Sequence, residues 1–258
     1  MYLPVPSQPD CASAWLAAVR AVDAQQHHTA HNVIIDLANP VARSTLADPV
    51  VRRVNDFLLD RDKSVECIAN TIFPLSLYLR YGHPKFIKAF HERILPKVRT
   101  NSRWSGYYFE RMTEMPQPQD GMPIDQLSRM INRIKDPNNT SLNKYEISIF
   151  DPSRDVTGSP YGGQCLSFMS FHLLSGATRT LVLTAQYRNH YYVEKLLGNL
   201  IGLGRLMAFV AKETGCNVGP LTVVSTNAEI DLPKATRQEL LKLLADCDAA
   251  AMPDKSAA

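Results

Sequence analysis

Leu166-Ser167-Phe168-Met169-Ser170-Phe171-His172-Leu173 closes at Ser175-Gly176 and is followed, after a short turn, by Thr178-Arg179-Thr180-Leu181-Val182-Leu183-Thr184-Ala185-Gln186. Apolar and polar side chains partly alternate in both runs, so they read as the two strands of a hairpin. A turn-rich lead-in, Pro160-Tyr161-Gly162-Gly163-Gln164, delivers Cys165 at the head of the first strand, and the far end of the second carries Tyr187-Arg188-Asn189-His190. A helix is then predicted from near Tyr192, with Leu196, Leu197, Leu200, Ile201, Leu203 and Met207 at helical spacing. A hairpin that starts at a cysteine and ends at an arginine can set the two side by side. A neighbouring guanidinium lowers a thiol's pKa and makes it a nucleophile.

Outward from this hairpin the pattern mixes helices and strands. Helices are predicted over Ala12 to Gln25, Val50 to Leu59, Pro84 to Val98, Ile124 to Ile134 and Thr236 to Ala245. Strands are predicted at Asn32 to Leu37, Tyr145 to Phe150 and Leu221 to Thr226. At 258 residues and 45% apolar content the chain can bury a sizeable core. We expect a single domain over residues 1–258, with 1–30 peripheral and 246–258 a frayed tail. A net charge of +3 gives no argument for nucleic acid and suits a local anion site. Five widely spaced cysteines without a CxxC argue against a disulfide framework and against zinc. His27, His28 and His31 invite a metal reading, but no acidic or cysteine partner stands at ligand spacing, so no metal is expected. No apolar run approaches the ~20 residues of a membrane span, and no signal peptide is evident, which leads us to expect a cytoplasmic protein.

Taken in order, Cys165, strand, turn, strand, Gln186-Tyr187-Arg188 and a Leu/Gly-rich helix holding Asn199 resemble the thymidylate synthase and deoxycytidylate hydroxymethylase family. Upstream, Asp120-Gly121-Met122-Pro123-Ile124-Asp125-Gln126-Leu127 and Ile131-Asn132-Arg133-Ile134-Lys135-Asp136-Pro137 resemble another of its segments. Downstream, Glu213-Thr214-Gly215-Cys216-Asn217-Val218-Gly219-Pro220 resembles its exit into the last core strand. The resemblance spans residues 105–231. It implies an α+β fold: a large mixed sheet covered by helices on one face, the other face lying in a symmetric homodimer interface.

The resemblance also implies a chemistry. Cys165 would add to C6 of a pyrimidine nucleotide, and C5 would then capture a one-carbon unit from methylenetetrahydrofolate. Arg188 would activate the thiol and hold the 5′-phosphate, helped by Arg43 in an N-terminal loop. Asn199 would read the amide edge of the base, favouring uracil. Gln186, Asn189, Asn227 and Asp231 are further candidate substrate contacts. Several positions depart from the family pattern. Asn70-Thr71-Ile72-Phe73 stands where a proton-transferring glutamate is expected, with Glu66 one turn early. Leu142-Asn143-Lys144 replaces an arginine pair, Leu166 a histidine after the cysteine, and Tyr191 an aspartate. Glu229 and Asp231 stand in place of a His and Tyr. Two readings stay open: a C5 one-carbon transferase, or a nucleotide-binding, regulatory or structural homodimer that has lost the chemistry.

Overall fold

A computed structural model of the chain describes residues 2–99, 107–117, 121–156 and 163–251. Pro160 to Gly162 of the lead-in, Asp120 of the upstream motif, and Arg103 to Gly106 of the aromatic run Arg103 to Arg111, which reads equally as a ligand-pocket floor or as core packing, lie outside the described residues.

Seven strands are present among these residues: β1 (Leu3–Pro4), β2 (Thr29–Leu37), β3 (Tyr145–Ser148), β4 (Leu166–Leu174), β5 (Thr180–Tyr187), β6 (His190–Tyr191) and β7 (Asn217–Glu229). They form one mixed sheet in the order β1-β2-β7-β5-β4-β3, with β6 beside β7. Pairs β3–β4, β4–β5 and β2–β7 are antiparallel, whereas β5–β7 is parallel. The α+β expectation holds. The predicted hairpin is β4–β5, and the strand expected at Leu221 to Thr226 is twice as long, because β7 bridges both β2 and β5.

Helices α1 (Cys11–Asp23), α2 (Pro49–Leu59), α3 (Val65–Ile72) and α4 (Leu75–Tyr81) precede a helical run built from α5 (Lys85–Ala89), a π-helical turn at Phe90–Ile94 and α6 (Leu95–Val98). Then come α7 (Tyr108–Thr113), α8 (Gln126–Lys135), α9 (Leu196–Thr214) and α10 (Arg237–Ala251). Side-chain caps fix several starts. Asp10, Asp48, Ser64 and Asp125 each accept a backbone N–H of the first turn they precede. Two of the boundary shifts have a visible cause. α10 runs on to Ala251 because Cys247 is buried in the core. α9 begins at Leu196 rather than near Tyr192, because His190 and Tyr191 pair with β7 and the backbone N–H groups of Val193 and Glu194 donate to Asp231.

The sheet has two unlike faces. One carries Val33, Ile35, Leu37, Leu221, Val223, Leu183, Ala185, Met169, Phe171 and Tyr145, aligned across the strands and buried under the helices. The opposite face carries rows such as Ile34, Val224, Gln186 and Phe168, and Asp36, Thr222, Thr184, Ser170 and Glu146. Phe168 is 37% and Leu174 45% exposed there.

Glycines set how closely α9 is approached. A Cβ at Gly198 would lie 2.6 Å from Cβ of Ile68, and one at Gly202 would lie 2.8 Å from the Ala69 carbonyl oxygen. A Cβ at Gly204 would collide with the Pro40 carbonyl. The sequence suggests helix–sheet packing for these glycines; the close partners are instead α3 and the loop after β2.

Candidate functional site

A cavity of about 240 Å³ opens where β4, β5, α3, α7 and the start of α9 converge. Its walls are Ile68, Thr71, Tyr108, Gly163, Gln164, Cys165, Asn189, His190, Tyr191, Lys195 and Asn199. It sits at the carboxyl end of β5, where the chain leaves the sheet to cross over through α9 into the parallel strand β7. Such crossover points leave a crevice open for ligands.

Cys165 is placed by a β-bulge. Leu166 pairs with Tyr187 and Phe168 with Gln186, so Ser167 is the extra residue. The Ser167 carbonyl accepts from the N–H groups of Ile149 and Phe150, and the Arg188 N–H donates to the Cys165 carbonyl at 2.9 Å. The approach to the cysteine is held from below by a buried ion pair. Arg111 grips Asp155 through two hydrogen bonds of 3.0 and 3.2 Å and donates to the Ile149 carbonyl. Gln126, from the upstream motif, clips α7 to β3: its amide donates to the carbonyls of Arg111 and Ser148 and accepts from the Ser148 N–H. That motif therefore braces the site without entering it.

The thiol of Cys165 does not behave as sequence proximity to Arg188 suggests. Burial pushes its pKa up, and the opposing pulls of Arg188 and then Lys195 are smaller. The Arg188 guanidinium is outside the cavity wall; its Nε–H donates to the Gln164 carbonyl at 3.0 Å. Thiol and carboxamide thus share the cavity, and the guanidinium acts on it from beside the cysteine's backbone.

Asn199 is 2% exposed. Its Nδ2 lies 2.9 Å from Nε2 of His190, and among the described residues nothing donates to its Oδ1. His190 is fully buried, which is the main reason its pKa is pushed down to about 3, with Lys195 adding to the effect. The imidazole is therefore neutral at physiological pH. Although a packed or surface histidine is the ordinary reading of the sequence, His190 proves to be part of the cavity wall.

The remaining candidates divide. Asn189 lines the cavity and accepts from Nδ2 of Asn227 at 2.7 Å, so Asn227 supports the wall from behind. Asp231 accepts the N–H groups of Val193 and Glu194 and so shapes the turn into α9; burial raises its pKa to about 6. Gln186 is exposed on the opposite face of the sheet. Arg43 is engaged elsewhere, its Nε 2.6 Å from Asp48 and its Nη1 3.2 Å from Ser13. Glu66 pairs with Arg205 through bonds of 2.9 and 2.7 Å and is not part of the wall, so the shift that would bring it to the cavity does not occur. Thr71 stands there instead, its hydroxyl donating to the Ile68 carbonyl. Among the described residues no carboxylate lines the cavity.

Lys195 and Ile68 on the wall escape the sequence reading. Lys195 lies one helical turn before Asn199, and the Asn199 N–H donates to its carbonyl, so the four-residue spacing is the signal that could have found it. Ile68 carries no such signal, whereas Tyr108 belongs to an aromatic run that the sequence offers as a pocket floor and Tyr191 stands at the place of a family aspartate. Among the described residues, no group of three or more His, Cys, Asp or Glu side chains is placed to hold a metal ion, and no helix is long and apolar enough to cross a membrane.

Fold and site together define an α+β protein with a thiol and a carboxamide in one cavity. The chain is 31% identical over 107 residues to a protein of Methanothermobacter thermautotrophicus named "Putative thymidylate synthase". The match covers 42% of this chain and 45% of that protein, so the chain spans less than half the length of this relative. No family model matches the chain. The similarity is a distant one to a thymidylate synthase-like protein.

Proposed function

We propose that the cavity binds a pyrimidine nucleotide, and that Cys165 adds as its thiolate to C6 of the ring so that C5 can take up a one-carbon unit. The observation that carries this reading is the meeting of the Cys165 and Asn199 side chains on one wall. Addition at C6 converts an inert vinylic carbon at C5 into an enolate carbon, which is what a covalent nucleophile contributes. Lys195, on the same wall, draws the thiol pKa down and would supply positive charge toward that enolate, its Nζ lying 3.1 Å from Glu194. Arg188, beside the cysteine, is the guanidinium proposed for the phosphate.

The family resemblance names methylenetetrahydrofolate as the donor. Among the described residues the wall fits it poorly, with no carboxylate to meet the amino edge of a pterin. No step is therefore assigned through it. Two observations favour a second reading, nucleotide binding without turnover. Among the described residues no carboxylate on the wall can move protons, and burial pushes the thiol's pKa up. In either reading the exposed sheet face is proposed as the surface on which two copies meet.

Incubation with 5-fluoro-dUMP, with and without methylenetetrahydrofolate, followed by intact mass analysis separates the two. A mass increase that disappears in Cys165→Ser supports covalent chemistry. Calorimetric binding of dUMP without any adduct supports the second reading, and the absence of both rejects a pyrimidine site.

A further inference from the structure

Arg111 is the most buried arginine among the described residues, at 5% exposure. A guanidinium cannot shed its charge, so burying it requires an anion and a set of acceptors. Asp155 takes it as a fork: Nη1 donates to Oδ2 at 3.2 Å and Nη2 to Oδ1 at 3.0 Å. Nη1 also donates to the Ile149 carbonyl at 3.1 Å, and the Asp151 carboxylate stands 3.9 Å away. Asp155 is gripped by its own segment as well. Its Oδ2 accepts the Asp151 N–H at 2.9 Å, and its own N–H donates to the Asp151 carbonyl at 2.8 Å. The chain from Ile149 to Asp155 is thus wound around one cation that belongs to α7.

Two parts of the cavity wall hang on this pair. α7 carries Tyr108 three positions before Arg111, and the backbone of Cys165 and Leu166 hydrogen-bonds to its phenol. Gln126 ties the same helix to β3 through the carbonyls of Arg111 and Ser148. On the other side Gly163 rests on Asp155. A Cβ on Gly163 would lie 3.2 Å from Cβ of Asp155, and its φ of +78° suits glycine alone. Gly163 lines the cavity two residues before Cys165. Tyr108 and Gly163, both wall neighbours of the cysteine, are therefore joined behind it by a single ion pair.

We propose that Arg111, acting through Asp155, is a positioning residue for Cys165: the pair locks the turn at Gly163 against α7 and so holds the thiol at the depth from which it meets a ligand. The pair acts through place and not through its field. The charged and titratable groups that act on the thiol are Arg188, Lys195 and the phenols of Tyr108, Tyr187 and Tyr191. With the pair removed, the turn slackens and the sulfur gains water. The thiol then ionises and alkylates more readily, yet attacks one bound atom less well. The second half of that statement rests on the pyrimidine reading of the cavity; the first needs no ligand.

Replacing a buried ion pair by apolar side chains of similar volume is often neutral for stability, which lets position be separated from folding. Arg111→Met/Asp155→Leu is expected to melt cooperatively and close to the wild-type protein. The pH profile of Cys165 alkylation by iodoacetamide, read on its own peptide, is expected to move toward that of a free thiol. The rate at neutral pH should rise about threefold or more. Adduct formation with 5-fluoro-dUMP should fall about tenfold or more in the same variant. Arg111→Lys keeps a charge for Asp155 but loses the fork, and is expected to lie between; its profile decides the matter should the double variant not fold. An unchanged alkylation profile, or a slower thiol, in either folded variant overturns the inference. A wild-type protein that neither binds dUMP nor forms the adduct rejects the pyrimidine reading, while the alkylation profile alone still decides the role of Arg111.

Discussion

Cys165 sits at a contest between two forces. Loss of water around the sulfur disfavours the thiolate, and two cations, on Arg188 and Lys195, favour it without winning. Alkylation of this cysteine by iodoacetamide, read on its own peptide, is therefore expected to keep accelerating above about pH 8.5, the ordinary thiol midpoint. Arg188→Ala or Lys195→Ala is expected to slow it at neutral pH by about twofold or more. A midpoint below that of a free thiol would contradict the burial seen here. Asp231 gives a second residue-scale prediction. Its folded pKa of about 6 is raised above the unfolded value, so the stability it contributes is complete below about pH 4 and is lost as pH rises toward 6. Thermal melts should show a loss of about 1–3 kcal/mol across that interval. Asp231→Asn, which can still accept the Val193 N–H, should abolish most of it. Cys165 and Asn199 were legible in the sequence because each stands at a fixed place in an ordered run. His190 was not, since a histidine between a strand and a turn looks the same whether it faces a core or a cavity.

Helix α9 illustrates what can and cannot be read at the scale of an element. Its leucines at three- and four-residue spacing announced it, but its start was misplaced by four residues. The residues before it satisfy their backbone through Ala228 and Glu229 of β7 and through Asp231, whose bonds span 37 and 38 positions. The glycines within it were visible and their partner was not, because nothing local says that α3 will cross there. Gly202→Ala is expected to cost about 1–3 kcal/mol in chemical denaturation, the usual penalty for overpacking against backbone that cannot rotate aside. Because α3 also carries Ile68 and Thr71 into the cavity wall, the same substitution should weaken nucleotide binding, whereas a surface change such as Lys242→Ala should alter neither.

For the whole molecule, the uneven sheet is the main consequence of the strand patterns. The inner face is largely apolar along β2, β7, β5 and β4; the alternation showed the strands, and the resemblance implied the α+β class. The outer face mixes Phe168, Leu174, Val182, Val224 and Ile34 with Ser170, His172, Thr184, Gln186 and Thr222. Light scattering is expected to give twice the 28.8 kDa chain mass, and the double variant Phe168→Asp/Leu174→Asp to give the single mass while melting as one cooperative unit. A wild-type monomer at micromolar concentration would contradict that use of the face.

The crossing of α3 over Gly198 and Gly202 bears on what the cavity can admit. At this seam, side chains and carbonyls of one helix rest on the bare backbone of the other, so one side of the contact has no torsion that can swing aside. A guest one methyl too broad could not be met by re-sorting rotamers; an entire helix would have to travel. The width of the opening is thus written into the main chain, and tolerance for larger rings would have to be sought along its length, toward Tyr108 and Tyr191, where flexible side chains form the boundary.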